Sequence, residues 1–108
     1  LKKYVDVISY LKINKFHLHF IDDEGWRLQI PSLPELTEVG SNRSALFDDG
    51  KSIQPAYGSG PQATKNAYLT TEQFKELLMY AAERHVTIIP EVMLGHQLKQ
   101  WNPGITVC

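Results

Sequence analysis

The sequence has 108 residues, of which 43% are hydrophobic and 21% charged, with a formal net charge of −1 at pH 7. This composition is typical of one small globular domain with a modest core. No apolar run approaches the ~20 residues of a membrane-spanning helix, and no basic cluster is present that would neutralise nucleic-acid phosphates. We therefore expect neither a membrane nor a nucleic-acid partner, and the single cysteine, Cys108, excludes an intrachain disulfide.

Helical periodicity begins at the first residue. Apolar side chains recur at helical spacing through Leu1, Tyr4, Val5, Ile8 and Leu11. Asn14 then stands where a helix C-cap is expected, because Asn tolerates the left-handed conformation that ends many helices. Since the chain starts with Leu inside a helical pattern, we interpret it as a segment of a longer protein.

The next element is predicted to be a strand, followed by a long loop. "KFHLHFID" (15–22) alternates and is rich in apolar residues, as a strand requires. "WRLQI" (26–30) is compatible with a short second strand, after which Pro31 and Pro34 predict no regular structure. The remainder up to residue 69 is predicted to be loop, and loops of this length in compact domains are usually functional or mobile.

A second helix and a second strand follow the loop. "TTEQ" offers a capping box from Thr70 to Gln73. One apolar stripe is then predicted, formed by Phe74, Leu77, Leu78, Ala81 and His85. "VTIIPEV" (86–92) is apolar on both faces, which is typical of a strand buried in a parallel sheet.

The order helix, strand, loop, helix, strand predicts an α/β protein with parallel pairing and a right-handed crossover. In such sheets the catalytic and ligand-binding residues lie beyond the carboxyl ends of the strands. Asp22 and Asp23 follow one strand end, and His96 follows the other. Two adjacent carboxylates are costly to bury unless something positive or hydrogen-donating faces them. The alternative roles are a turn cap for the aspartates and an ordinary loop position for His96.

His17 and His19 lie on the same face of the predicted strand, ~6.5–7 Å apart at two residues' rise. Together with Asp22 or Asp23 they are compatible with a zinc or iron site of the kind that some barrel hydrolases use. Both histidines are equally compatible with hydrogen-bonded packing inside a barrel. We favour packing, because no further ligand is evident in the sequence.

Three segments together resemble the family 20 glycoside hydrolases, the β-N-acetylhexosaminidases. They are "KFHLHFIDDEGWRLQIPSLPELTEVG" (15–40), "YLTTEQFKELLMYAAERHVTIIPEV" (68–92) and "GH" (95–96). The resemblance extends from about residue 4 to residue 96, and "HLHxxDDxGWR" is its specific signal. It implies part of a (β/α)₈ TIM barrel, an architecture that needs ~250 residues when complete. Residues 1–108 would then form helix 1, strand 2, helix 2 and strand 3 of one catalytic domain.

The resemblance also implies an activity. Members of the family remove terminal N-acetylglucosamine or N-acetylgalactosamine from glycans and glycoconjugates by substrate-assisted retaining hydrolysis, without a cofactor. A glutamic acid protonates the leaving oxygen, the substrate's acetamido carbonyl attacks the anomeric carbon, and a neighbouring aspartate steadies the acetamido group. That Asp-Glu pair follows strand 4, and no such pair follows residue 96 here. By the same resemblance the protein would be secreted, periplasmic or lysosomal.

The resemblance assigns supporting roles to residues of this chain. Asp22 or Asp23, with His96, would hold and tune the acid, while Trp26 and Arg27 would shape the following loop or contact substrate. "PEVMLGHQ" is one residue shorter than the family pattern and lacks its Asp and Pro, which leaves the register of His96 open. In the tail, Trp101 is a candidate for stacking on a sugar or for filling surface.

Two other functions remain open from the sequence. One is a metal-dependent barrel hydrolase that uses His17, His19 and an aspartate. The other is a non-catalytic, truncated carbohydrate-binding fragment. Metal analysis would separate the first from a sugar hydrolase, since the sugar hydrolase needs no metal.

Overall fold

The computed structural model describes residues 1–21, 25–43 and 66–92. The predicted roles of Asp22, Asp23, His96 and Trp101 therefore fall outside the described residues. In the described ranges no helix is both long and apolar enough to cross a bilayer. Chain order is α1 (Lys2–Tyr10), β1 (Lys15–Ile21), α2 (Glu35–Glu38), α3 (Thr71–Ala82) and β2 (Thr87–Val92).

The two strands pair in parallel, as predicted. Lys15 lies opposite Thr87 at the start of the ladder, His19 lies opposite Glu91, and an irregularity after His19 brings Ile21 opposite Val92. The connection between them contains α3, which confirms the predicted strand–helix–strand unit.

The core lies between the helices and one face of the sheet. Its buried residues come from α1, from α3 and from the second strand with the residue before it: Val5, Leu77, Ala81, Val86 and Ile88. Phe16 and Leu18 of β1 pack against this cluster from the sheet side. Because strand side chains alternate between faces, the residues between them point away from the helices.

Helix α3 begins as the sequence predicts. The Thr70 hydroxyl accepts a hydrogen bond from the Gln73 amide, and the Gln73 side chain accepts one from the Thr70 amide. This reciprocal capping box satisfies two of the amide donors that a helix start leaves open. The predicted apolar stripe is only partly right, since Leu78 is 38% exposed and His85 lies beyond the end of the helix.

Both long helices end in the same kind of turn, and the predicted cap at Asn14 is wrong. Lys12 and His85 adopt left-handed conformations, with φ of 58° and 57°. After α1, the Lys12 amide donates to the Ser9 carbonyl and the Ile13 amide to the Ile8 carbonyl. This is a Schellman motif, and it turns the chain towards the following strand. Its left-handed residue is Lys12, two positions before the predicted cap at Asn14.

The segment predicted to be loop contains one turn of helix. Helix α2 starts directly after Pro34, which serves as its N-cap. Proline fits this place because its fixed φ suits a helix start and its missing N–H would have had no helical partner there. The short strand predicted at 26–30 is reduced to a single parallel bridge between Leu28 and Leu69.

Candidate functional site

The carboxyl ends of the two strands lie side by side. Ile21 ends β1 opposite Val92, which ends β2. In the sequence, Asp22 and Asp23 directly follow Ile21, and His96 comes four residues after Val92. The carboxyl edge is the one at which ligands bind in parallel α/β folds. The juxtaposition of the aspartates with His96 themselves remains a prediction.

The sheet face opposite the helices carries a cluster of three titratable side chains. His17 Nε2 lies 2.8 Å from Glu91 Oε2, and His19 Nδ1 lies 3.3 Å from Glu91 Oε1. One carboxylate thus spans two imidazoles of the neighbouring strand, each through a different oxygen. We call His17, His19 and Glu91 the cross-strand cluster.

Glu91 was missed as a site residue by sequence reasoning. A signal was nevertheless available, since Glu91 is a charged residue in a strand predicted to be apolar on both faces. Its meeting with the histidines depends on the register, which places Glu91 directly opposite His19.

Metal ligation was the alternative role for His17 and His19. In the ranges 1–21, 25–43 and 66–92, no group of three or more His, Cys, Asp or Glu side chains is arranged to hold a metal ion. The aspartates that would complete the hypothesised site, Asp22 and Asp23, lie outside these ranges.

Trp26 and Arg27 are built into the framework of the loop. Trp26 is only 5% exposed, and its indole N–H donates to the Leu28 carbonyl. Arg27 Nη1 donates to the carbonyls of Ser41 (3.3 Å) and Ala67 (3.0 Å), which come before and after residues 44–65 in the sequence. These contacts are those of loop-shaping residues, whereas a contact of either side chain with substrate stays a prediction.

Steric constraints explain why position 25, the first of the Gly-Trp-Arg motif, is glycine. Gly25 has φ of +126°, and a Cβ there would lie 2.9 Å from the Gly40 carbonyl oxygen. The Trp26 amide donates to that same carbonyl at 2.8 Å. A larger residue at position 25 would therefore separate two loop segments that Trp26 holds together.

A second charged cluster lies on the helix side, where it joins α1 to α3. Tyr80 Oη and Arg84 Nε both donate to Asp6 Oδ1 at 2.8 Å. These hydrogen bonds, that from Tyr80 above all, hold the pKa of the Asp6 carboxyl below its ordinary value, and the bond to Asp6 raises the pKa of Tyr80. The cluster joins the helices and lies apart from the cross-strand cluster.

The described residues form a parallel strand–helix–strand unit of the α/β class, and the paired acids follow its first strand in the sequence. The model of glycosyl hydrolase family 20, catalytic domain, matches residues 1–105. The chain belongs to this family.

Relatives of known name agree with this assignment. The chain is 44% identical over 99 residues to a beta-hexosaminidase of Vibrio vulnificus, a match that covers 89% of this chain and 12% of that protein. It is 44% identical over 90 residues to the N,N'-diacetylchitobiase of Vibrio harveyi, covering 82% of this chain and 10% of the relative. The chain therefore spans only a small part of the length of these relatives.

A solved structure agrees as well. The family 20 exo-β-N-acetylglucosaminidase of Vibrio harveyi, in complex with N-acetylglucosamine, superposes with a TM-score of 0.79 at 34% identity. The match covers 94% of this chain and 16% of that structure. The predicted family is confirmed, and with it a fold shared with family 20 enzymes over nearly the whole chain.

Proposed function

We propose that the full-length protein carrying this chain is a β-N-acetylhexosaminidase that removes terminal N-acetylglucosamine or N-acetylgalactosamine from glycans. Residues 1–108 would contribute helix 1, strand 2, helix 2 and strand 3 of its (β/α)₈ barrel. Support comes from the parallel pairing of β1 with β2 and from the packing of both long helices on one face of the sheet. The opposite face, with its histidines and glutamate, would line the barrel interior.

The observation that carries the proposal is that the "HLHFIDDEGWR" segment begins in a strand and ends in residues that hold the loop. Its first part is β1, with His17 and His19 facing away from the helices. Its last part, Trp26 and Arg27, anchors the loop backbone. In the sequence the two aspartates follow β1 and precede the anchored pair Trp26 and Arg27, and we propose that these flanking elements would hold the carboxylates in one geometry.

In the proposed reaction this chain has a supporting role. The acid and the aspartate that steadies the acetamido group are contributed by a later part of the protein. The acetamido carbonyl of the substrate forms the bond to the anomeric carbon while the acid protonates the leaving oxygen. Asp22 or Asp23, together with His96, would orient the acid and tune its proton affinity, and no metal takes part.

The experiment compares sugars that differ only at the acetamido group. The full-length protein is assayed with chromogenic N-acetylglucosaminide, N-acetylgalactosaminide and the matched glucoside. Because the glucoside lacks the internal nucleophile, its kcat/KM should be lower by about 10³-fold or more. Similar turnover of the glucoside would contradict substrate assistance.

Two controls separate the alternative functions. Activity that is abolished by a chelator and restored by zinc would support the metal-dependent hydrolase. Binding of N-acetylglucosamine without turnover by the full-length protein would support the carbohydrate-binding alternative. The proposed hydrolase should be indifferent to chelation.

A further inference from the structure

The segment that follows the paired acids in the sequence is held from two sides. The Trp26 amide donates to the Gly40 carbonyl at 2.8 Å. The Leu69 amide donates to the Arg27 carbonyl, also at 2.8 Å. The backbone of this segment is therefore tied both to the chain before residues 44–65 and to the chain after them.

Arg27 joins the same two parts of the chain through its side chain. Its Nη1 donates to the Ser41 carbonyl at 3.3 Å and to the Ala67 carbonyl at 3.0 Å. Its guanidinium also lies against Gly25, because a Cβ at that position would be 2.9 Å from Nη2 and 3.1 Å from Cζ. The guanidinium thus fills the space that a side chain at position 25 would need.

Chain connectivity brings the paired acids close to this guanidinium. Asp23 comes two residues before Gly25, so their Cα atoms are at most roughly 7 Å apart. On the other side, Asp22 directly follows Ile21, which ends β1 with a fully buried side chain. Only residues 22–24 connect these two fixed points, so a shift of the Gly25 backbone is passed on within a few peptide units.

We propose that Arg27 is a positioning residue: it fixes the backbone that follows Asp23 and thereby the carboxylates that support the acid. This role rests on the proposed function, in which Asp22 or Asp23 orients the acid. Catalysis is sensitive to such placement, since a displacement of about 1 Å can cost about 10²-fold in rate. The role differs from a contact with substrate, because Arg27 acts through the backbone that it holds.

The guanidinium combines properties that other side chains do not offer together. Its planar fork presents N–H groups in fixed directions, and Nη1 directs them at two carbonyls from distant parts of the chain. Lysine keeps the charge but carries a compact ammonium on a flexible stem. Methionine fills similar space without the charge or the donors. The expected order of kcat is therefore wild type, Arg27→Lys and Arg27→Met.

The first test is a kinetic comparison in the full-length protein with a chromogenic N-acetylglucosaminide. We expect Arg27→Met to lower kcat by about 10–10²-fold and to change KM by less than about threefold, because the restraint acts mainly in the transition state. Arg27→Lys should recover part of the loss. A raised KM with unchanged kcat would overturn the proposal, because it would indicate a direct contact with substrate.

The matched control is a core substitution away from this segment. Leu77 is 4% exposed, and Leu77→Ala should lower the melting temperature but keep the wild-type kcat well below the melt. A purely structural role of Arg27 predicts the same behaviour for Arg27→Met. That result would also overturn the proposal.

The second test reads the restraint without turnover. Hydrogen exchange followed by mass spectrometry should be faster for peptides covering residues 22–26 in Arg27→Met than in wild type. In Leu77→Ala the increase should instead appear in α3 and β2, which surround the substituted core position. Equal exchange of residues 22–26 in Arg27→Met and wild type would contradict the restraint.

The outcomes separate this inference from the proposed function. An inactive wild type with faster exchange of residues 22–26 in Arg27→Met would refute the glycosidase and retain the restraint of the backbone. An active wild type whose Arg27→Met variant keeps its kcat would retain the glycosidase and overturn the inference. Should Arg27→Met fail to fold, Arg27→Lys decides by the same two measurements and in the same directions.

Discussion

The helix side of the sheet and its opposite face are built from alternating residues of the same two strands, and they follow different physical rules. On the helix side, Phe16 and Leu18 pack on a core that includes fully buried Val5. On the opposite face, His17 and His19 keep 63% and 50% of their side chains exposed and contact Glu91. One strand can therefore stabilise a fold with the residues that face the helices and position titratable groups with the residues between them.

The two faces also differ in how they respond to change. Burial of apolar area does not depend on which atom of a side chain makes contact, so the helix side depends mainly on size and shape. The cross-strand cluster depends instead on the positions of a few polar atoms on two strands. Substitutions on the helix side should therefore change stability, and substitutions at the carboxyl edge of the opposite face should change catalysis.

The largest effect is expected when the chain is separated from the rest of the protein. Residues 1–108 expressed alone should show no turnover of a chromogenic N-acetylglucosaminide, because the acid and its partner aspartate are absent. Within the described residues, β1 and β2 pair only with each other, so each leaves an open edge that favours association. Activity assays, a sizing column and a thermal melt test this, and an active monomer with cooperative melting would contradict both claims.

The next largest effect concerns the aspartates at the end of β1. In the full-length protein, Asp22→Asn or Asp23→Asn should lower kcat by about 10²–10⁴-fold with a much smaller rise in KM, because support of the acid acts mainly in the transition state. We expect Asp22, the nearer to the strand, to be the more sensitive. Steady-state kinetics measure the difference, and a kcat within about twofold of wild type for both variants would rule out the supporting role.

A core substitution on the helix side should affect stability instead. Leu77 is 4% exposed, and Leu77→Ala should lower the free energy of unfolding by about 2–5 kcal/mol, since it leaves a cavity in the core. Met79, on the same helix, is 62% exposed, and Met79→Ala should change the stability by less than about 0.5 kcal/mol. Denaturant unfolding measures both, and equal effects would show that α3 packs with a different face.

The two helix-ending turns offer a smaller, stabilising change. Lys12→Gly and His85→Gly should each stabilise the protein by about 0.5–1 kcal/mol, because glycine adopts a positive φ without strain. The control is Leu11→Gly, where φ is −78° and glycine should be destabilising. Thermal melts compare the three variants, and destabilisation by glycine at both positions 12 and 85 would argue against the left-handed turns.

The smallest effect concerns pH. The pKa of Asp6 is lowered in the folded state, so its contribution to stability is present above the unfolded-state value of about 4 and disappears as the pH falls through the folded value. The raised pKa of Tyr80 has the opposite sense: its contribution is present below about pH 10 and is lost at higher pH.

Melting temperatures of wild type and Asp6→Asn test the acid side of this dependence. We expect Asp6→Asn to be less stable than wild type at neutral pH and the difference to shrink between about pH 5 and pH 3. Glu35→Gln, an exposed carboxyl on α2, serves as the matched control. A difference that is independent of pH would indicate that Asp6 acts through packing rather than through its charge.

Features that depend on neighbouring residues were predictable. Two local predictions are confirmed: the capping box at Thr70 and Gln73, and the β-branched run that forms β2. Both depend only on residues within a few positions of each other. Parallel pairing followed from the order of the elements, because a strand–helix–strand connection rarely permits another arrangement. The family was recognisable for a related reason, since its motif is a short continuous string.

Features that join distant residues were decided by the tertiary structure. Lys12 and His85 adopt left-handed conformations although neither is glycine or asparagine, the usual residues at such helix ends, and Val86, next to one of these turns, is buried in the core. Such strain of about 1 kcal/mol persists when burial of the following strand outweighs it.

By itself, the sequence determined the order of the two long helices and the two strands, the start of β2 to within one residue and the start of α3, because these follow from local propensity and alternation. Only the tertiary structure decided that Glu91 meets His17 and His19, and that Arg27 meets the carbonyls of Ser41 and Ala67. The physical reason is that these contacts depend on strand register and on loop closure. Both are set by how the whole sheet and its helices bury apolar area, and no short stretch of sequence encodes that.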